Sequence, residues 1–138
     1  MKILVTGASG FIGSHAVIGL AQKGHFVTGL LRGSGIPDRV QRLLKADSIQ
    51  PSSKFLCDAV NFVHCDLLDS RSLKNIFSSE KIDCVINLAA YAVQNEERNP
   101  TLAYKINYEA AKLLAQLASE FRCKHFVHFG TSKEYGDM

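Results

Sequence analysis

VTGASGFIGSH, residues 5–15, places glycines at 7, 10 and 13, directly after the apolar run KILVT (2–6). Glycine loses more conformational freedom on folding than any other residue, so three of them at one junction need a purpose. KILVT is short, continuous and rich in branched side chains, as a strand buried on both faces is. Beyond it Phe11, Ile12, Ala16, Val17, Leu20 and Ala21 recur at helical spacing as far as Lys23, and Gly24 is placed to end the helix. In a strand-turn-helix context each glycine has a role. Gly7 permits the tight turn, Gly10 lets main chain approach a diphosphate closely, and Gly13 lets helix and strand pack together. The amides that open the helix, with its dipole behind them, then face the anion.

The same alternation continues outward. HFVTGLL (25–31) reads as a second strand and RGSGIPD (32–38) as a loop. Val40, Leu43 and Leu44 predict a short helix, and DSIQPSSKF (47–55) a surface loop. VNFVHCD (60–66) is a third strand ending in an aspartate. DSRSLKNIFSS (69–79) is a helix capped by Asp69 or Ser70, and DCVINLAA (83–90) a fourth, buried strand. The longest helical pattern runs from Leu102 to Phe121, and HFVHFG (125–130) makes a fifth strand. Strands alternating with helices over short connections predict an α/β fold, a doubly wound parallel sheet with helices on both faces and right-handed crossovers. No internal boundary divides residues 1–138.

Composition narrows the function. The 138 residues are 46% hydrophobic and 21% charged, ordinary for a globular chain that buries a core. A net charge of +3, with Lys and Arg scattered, gives no basic stripe for nucleic acid but leaves room for an anionic small ligand. No segment approaches the ~18 apolar residues of a membrane span. MKILV is too short for a signal-peptide core, so a cytoplasmic location is expected. The cysteines at 57, 65, 84 and 123 form no C-x-x-C pair, which predicts reduced thiols and no metal site.

Thr6, Gly7, Gly10 and Gly13, continued by FIGSH, resemble the T-G-x-x-G-x-x-G motif of the extended short-chain dehydrogenase/reductases, the family of nucleotide-sugar epimerases and dehydratases. The resemblance runs the length of the chain and implies a Rossmann-type NAD(P)-binding domain. It implies that Thr6, Gly7, Ser9, Gly10, Phe11, Ile12 and Gly13 surround the diphosphate. Asp66, with Leu67 beside it in HCDLLD, corresponds to the family's aspartate at the adenine amino group. Leu88, Ala89 and Ala90 of NLAA correspond to the stretch passing beside the cofactor. In NPTLAYKINYEAAKLL (99–114), Asn107 stands at the family's asparagine.

Cofactor choice turns on GLLRGSG (29–35). An acid at the end of the second strand binds the ribose of NAD, whereas an arginine nearby accommodates the 2′-phosphate of NADP. Leu31 stands where the acid belongs and Arg32 follows, with Ser34 close by, so NADP is expected and NAD is the alternative. GLLRGS is most similar to the GDP-mannose 4,6-dehydratases, which use NADP.

FGTSKEYG (129–136) resembles the family's catalytic segment, in which a hydroxyl holds the sugar oxygen that is oxidised. Thr131 takes that position and Ser132 adjoins it. Lys133 stands where the dehydratases carry glutamate, and Glu134 lies one place later, which favours epimerase or reductase chemistry on a nucleotide-sugar substrate. The family's Tyr-x-x-x-Lys pair lies beyond this segment. Tyr108 and Lys112 have its spacing but precede Thr131, and Tyr135 has no lysine after it, so none of them takes that part. Residues 1–138 therefore read as the N-terminal part of a longer enzyme, predicted to bind dinucleotide without turnover. A non-catalytic Rossmann module that senses dinucleotides or binds a partner is the alternative. The family's dimer helices usually include the one near 102–121, which makes a homodimer possible. His125 and His128, three apart on a strand, project to opposite faces and share no metal. His15 reads as a packing or surface residue, and NEERN (95–99) as a solvated loop.

Overall fold

β1 (Lys2–Thr6) lies at the centre of a five-stranded parallel sheet. It is flanked by β2 (Phe26–Leu31) and β4 (Cys84–Asn87), with β3 (Val60–His64) and β5 (His125–His128) outermost, in the order β3–β2–β1–β4–β5. Leu4 pairs in register with Thr28 on one side and Val85 on the other. The computed structural model describes residues 1–47, 58–91 and 99–130. Between the strands run α1 (Phe11–Gln22), α2 (Asp38–Asp47), α3 (Ser70–Ser79) and a final pair, α4 (Pro100–Tyr104) and α5 (Ala111–Glu120). The doubly wound α/β reading is the observed architecture.

Alternation along the strands divides the core in two. Ile3, Val5, Val27 and Leu31 turn to one face, where Val17 and Ala21 of α1 cover them. Leu4, Leu30 and Val85 turn to the other, packed under Leu73, Ile76 and Phe77 of α3 and Leu114, Leu117 and Ala118 of α5. Gly29 in β2 makes room on the first face. A methyl there would stand 2.8 Å from the Phe62 ring and 3.0 Å from the Ala8 methyl.

Two expectations about the helices need correcting. Phe11 and Ile12 belong to the helical pattern of α1 but are 68% and 58% exposed. The buried stripe is Gly13, Ser14, Val17, Ile18 and Ala21, because the bare Cα of Gly13 is what presses on the turn at Gly7 and fixes how the helix is rotated. The pattern from Leu102 to Phe121 is also not one regular helix. It begins at Pro100, capped by Asn99, whose Oδ1 accepts the Leu102 amide at 3.0 Å. It then passes through a π-helical stretch, Lys105–Ala110, before α5. An inserted π turn rotates the residues on either side of it, and Asn107 lies inside this one.

Two smaller expectations about helix ends hold. Asp69 caps α3, its Oδ1 accepting the Arg71 and Ser72 amides at 3.1 Å. Gly24 ends the first helical unit with φ +82°. No described helix is long and apolar enough to cross a membrane.

Candidate functional site

At the carboxyl ends of β1, β2, β3 and β4 the chain leaves a cleft of about 290 Å³, open at the switch in strand order between β1 and β4. Its floor is the glycine turn. Gly7 has φ +67°, and a Cβ there would stand 2.8 Å from the Leu88 carbonyl and the Ala89 nitrogen, so only glycine lets the two loops meet. A Cβ on Gly13 would fall 2.1 Å from the Gly7 carbonyl oxygen. Gly13 thus packs α1 on the turn itself. At Gly10 an added Cβ meets only the Gly7 oxygen, at 3.2 Å, and its other side faces the cleft.

Helix α1 opens at this floor with Gly10 as its N-cap. No side chain caps it and no acidic residue stands in its first turn. The first amide with an intrahelical acceptor is that of Ser14, which bonds Gly10 at 3.0 Å. The Phe11 and Ile12 amides precede it and carry the positive end of the helix dipole, which suits an anion. By contrast α3 and α4 are closed by Asp69 and Asn99.

The walls come from three other strands. Gly7, Ser9 and Gly10 line the cleft with Arg32 after β2, Asp66 and Leu67 after β3, and Leu88, Ala89 and Ala90 after β4. Leu31 is fully buried on the α1 face, so it offers nothing to a ligand, while its neighbours Leu30 and Arg32 reach the cleft. Asp66 is exposed, and its Oδ1 accepts the Leu68 amide at 2.9 Å, which holds the loop bent.

Several expected residues act from behind the wall. Thr6 is fully buried; its hydroxyl donates to Asn87 Oδ1 and accepts the Ala89 amide at 3.3 Å, tying the β1 turn to the β4 loop. The Asn87 amide group donates onward to His128 Nδ1 at 3.0 Å. Asn107 lies outside the cleft. Its Oδ1 accepts the Tyr91 amide at 2.8 Å and its Nδ2 donates to the Tyr91 carbonyl at 3.2 Å, fixing a residue of the cleft lining that follows β4. Phe11 and Ile12 bring main chain to the rim and turn their side chains outward.

Leu30, Cys65, Tyr91 and Ile106 line the cleft without being marked by any motif. Each adjoins one that is, and the strand alternation around Leu31 was the signal that could have found Leu30. Burial, with the Asp69 and Asp66 carboxylates, pushes the Cys65 thiol upward, so it stays protonated at neutral pH. Cys65, Cys84 and Cys123 are free thiols, and Cys57 lies outside the described residues. So do Thr131, Ser132, Lys133, Glu134 and Tyr135. Tyr108 is half-exposed with the Lys112 ammonium 5.9 Å above its ring, and it is not part of the cleft lining. No cluster of three metal-ligating side chains occurs among the described residues.

Comparison with known proteins gives a consistent result. The model of a family described as the NAD dependent epimerase/dehydratase family matches residues 3–138. A UDP-glucose 4-epimerase of Caenorhabditis elegans is 33% identical over 137 residues, covering 99% of this chain and 39% of that protein. A dTDP-D-glucose 4,6-dehydratase of Dictyostelium discoideum is 32% identical over 148 residues, covering 98% of this chain and 30% of that protein. Among solved structures, a UDP-glucose 4-epimerase from Bifidobacterium longum in complex with NAD+ and UDP superposes with a TM-score of 0.77 at 23% identity, covering 99% of this chain and 38% of that one, a likeness of fold. The chain thus spans well under half the length of these relatives.

Proposed function

The chain belongs to the NAD dependent epimerase/dehydratase family, and from that premise we propose that residues 1–138 form the dinucleotide-binding part of a nucleotide-sugar epimerase or reductase. The observation that carries this reading is the uncapped start of α1 opening, through Gly7 and Gly10, onto a cleft at the strand-order switch. The glycine positions at which a Cβ would collide fit a cradle for a diphosphate. Asp66 and Leu67, which line the cleft, are assigned to the adenine end, and Leu88 to Ala90, which also line it, to the stretch between diphosphate and nicotinamide. A bound nicotinamide takes up and returns hydride, and the chain's own part is to hold the dinucleotide in one pose. In the relatives' reaction class a hydroxyl positions the sugar, and Thr131 with Ser132 is assigned that part.

NADP is the dinucleotide this chain's residues favour. Leu31 is turned into the core and leaves the ribose without a carboxylate, while Arg32 lines the cleft and can form a forked pair with a 2′-phosphate. The family's description and the Bifidobacterium complex name NAD, which makes the choice a sharp test. In fluorescence titrations of the purified chain NADPH is expected to bind more tightly than NADH. Arg32→Ala is expected to weaken NADPH alone, by ~1–3 kcal/mol, the scale of a lost charged hydrogen bond. Tighter binding of NADH by the native chain would reverse the assignment to NADP, and no binding of either dinucleotide would overturn the cofactor reading.

A further inference from the structure

Arg39 lies seven residues beyond Arg32, in the first turn of α2. Its guanidinium sits 5.6 Å from the centroid of the Phe11 ring. Phe11 is the first residue of α1 and follows Gly10 of the cleft lining directly. The loop from Arg32 to Asp38 thus leads, through Gly33 and Gly35 at φ +86° and +81°, from a cation that lines the cleft to a second one stacked on the residue next to Gly10.

Phe11 makes sense as a platform. Its ring is two-thirds exposed, one residue past Gly10 of the cleft lining, a costly place for an aromatic with no task. It is held by the His15 ring at 4.9 Å, and His15 Nδ1 donates to the Phe11 carbonyl at 2.8 Å. A ring fixed in this way can park a guanidinium through its π face while the N–H groups at the guanidinium's edge remain free to donate. Neither Arg32 nor Arg39 has a carboxylate partner among the described residues, although Asp38 adjoins Arg39 in sequence. Two guanidiniums with no carboxylate partner among the described residues, one lining the cleft and the other stacked on the residue that follows Gly10, suit a dianion.

The geometry points to Arg39 as a second specificity-determining residue, donating with Arg32 to the 2′-phosphate of the dinucleotide from its seat on Phe11. This rests on the NADP reading and goes beyond it, since Arg39 belongs to no motif in the chain. The arginine on α2 would close over the ribose phosphate while Arg32 meets it from the strand end.

The test is a set of NADPH and NADH fluorescence titrations on the native chain, Arg39→Gln, Arg39→Lys, Phe11→Leu and Arg32→Ala, with thermal melts to confirm that each variant is folded. Arg39→Gln is expected to weaken NADPH about tenfold and to leave NADH within twofold, as loss of one charged hydrogen bond to the phosphate would. Arg39→Lys is expected to recover part of that loss, and Phe11→Leu to weaken NADPH by a smaller factor than Arg39→Gln. An Arg39→Gln protein that binds both dinucleotides as before, or loses both alike, overturns the role of Arg39. If in that case Arg32→Ala weakens NADPH alone, the NADP reading survives without Arg39. A native chain that prefers NADH, or binds neither, overturns both.

Discussion

At Gly13 a methyl would be driven to 2.1 Å from a main-chain oxygen that cannot swing aside, so Gly13→Ala separates the purpose of this glycine from that of its neighbours. The expected cost is at the upper end of the ~1–3 kcal/mol typical of overpacking, read as a lower urea midpoint with an unchanged slope, together with loss of dinucleotide binding. Gly10→Ala meets only one oxygen, at 3.2 Å, and should damage binding far more than stability. The demand for glycine at 7, 10 and 13 was readable from the sequence because it is local, set by a turn of a few residues. The partners were not. That Gly7 presses on Leu88 and Ala89, and that Asn107 serves Tyr91 sixteen residues away, depends on long-range register that no spacing rule encodes. The outward turn of Phe11 was hidden for a related reason: helical periodicity reports which residues share a face, and the packing of Gly13 decides which face is buried.

Among the elements, β5 stands apart. The described residues pair it with β4 alone, and all four of its side chains are exposed, Val127 at 41%. A parallel strand bonds its neighbour through alternate residues, and the Phe129 amide reaches Asn87 at 3.1 Å, so the amides of Phe126 and His128 turn to the edge that no described strand pairs. Short apolar edges of this kind recruit other strands. Val127→Lys should therefore keep the chain monomeric to higher concentration, as followed by light scattering, without lowering its melting temperature; unchanged association would place the contact elsewhere. The strands were legible as elements because each is a short apolar run between turn signals. The π stretch at Lys105–Ala110 was not, since its residues, KINYEA, satisfy either helix and the extra residue shows only in the hydrogen bonding.

Across the whole molecule, the amino ends of the strands are fastened by one carboxylate. Asp83 accepts the Lys2 amide at 2.8 Å and the Lys124 ammonium at 2.9 Å, joining β1, β4 and the approach to β5. The Lys2 hydrogen bond first, then Lys124, hold its pKa at about 2 against an ordinary 3.8. A folded-state value below the unfolded one means that this stabilisation is complete above the ordinary carboxylate range and disappears as pH falls from about 4 through 2. Urea midpoints of Asp83→Asn should be lower than those of the native chain at neutral pH and should converge with them by pH 2; parallel curves would show that the tie contributes nothing.

The carboxyl ends of the same strands are cross-braced differently, by the run from the Ala89 amide through Thr6 and Asn87 to His128. A rim locked by side chains from three strands is shaped before any guest arrives. A molecule settling on it would freeze few loose parts, so its affinity would suffer little from ordering the host, and the selectivity of that rim is already written into the empty fold.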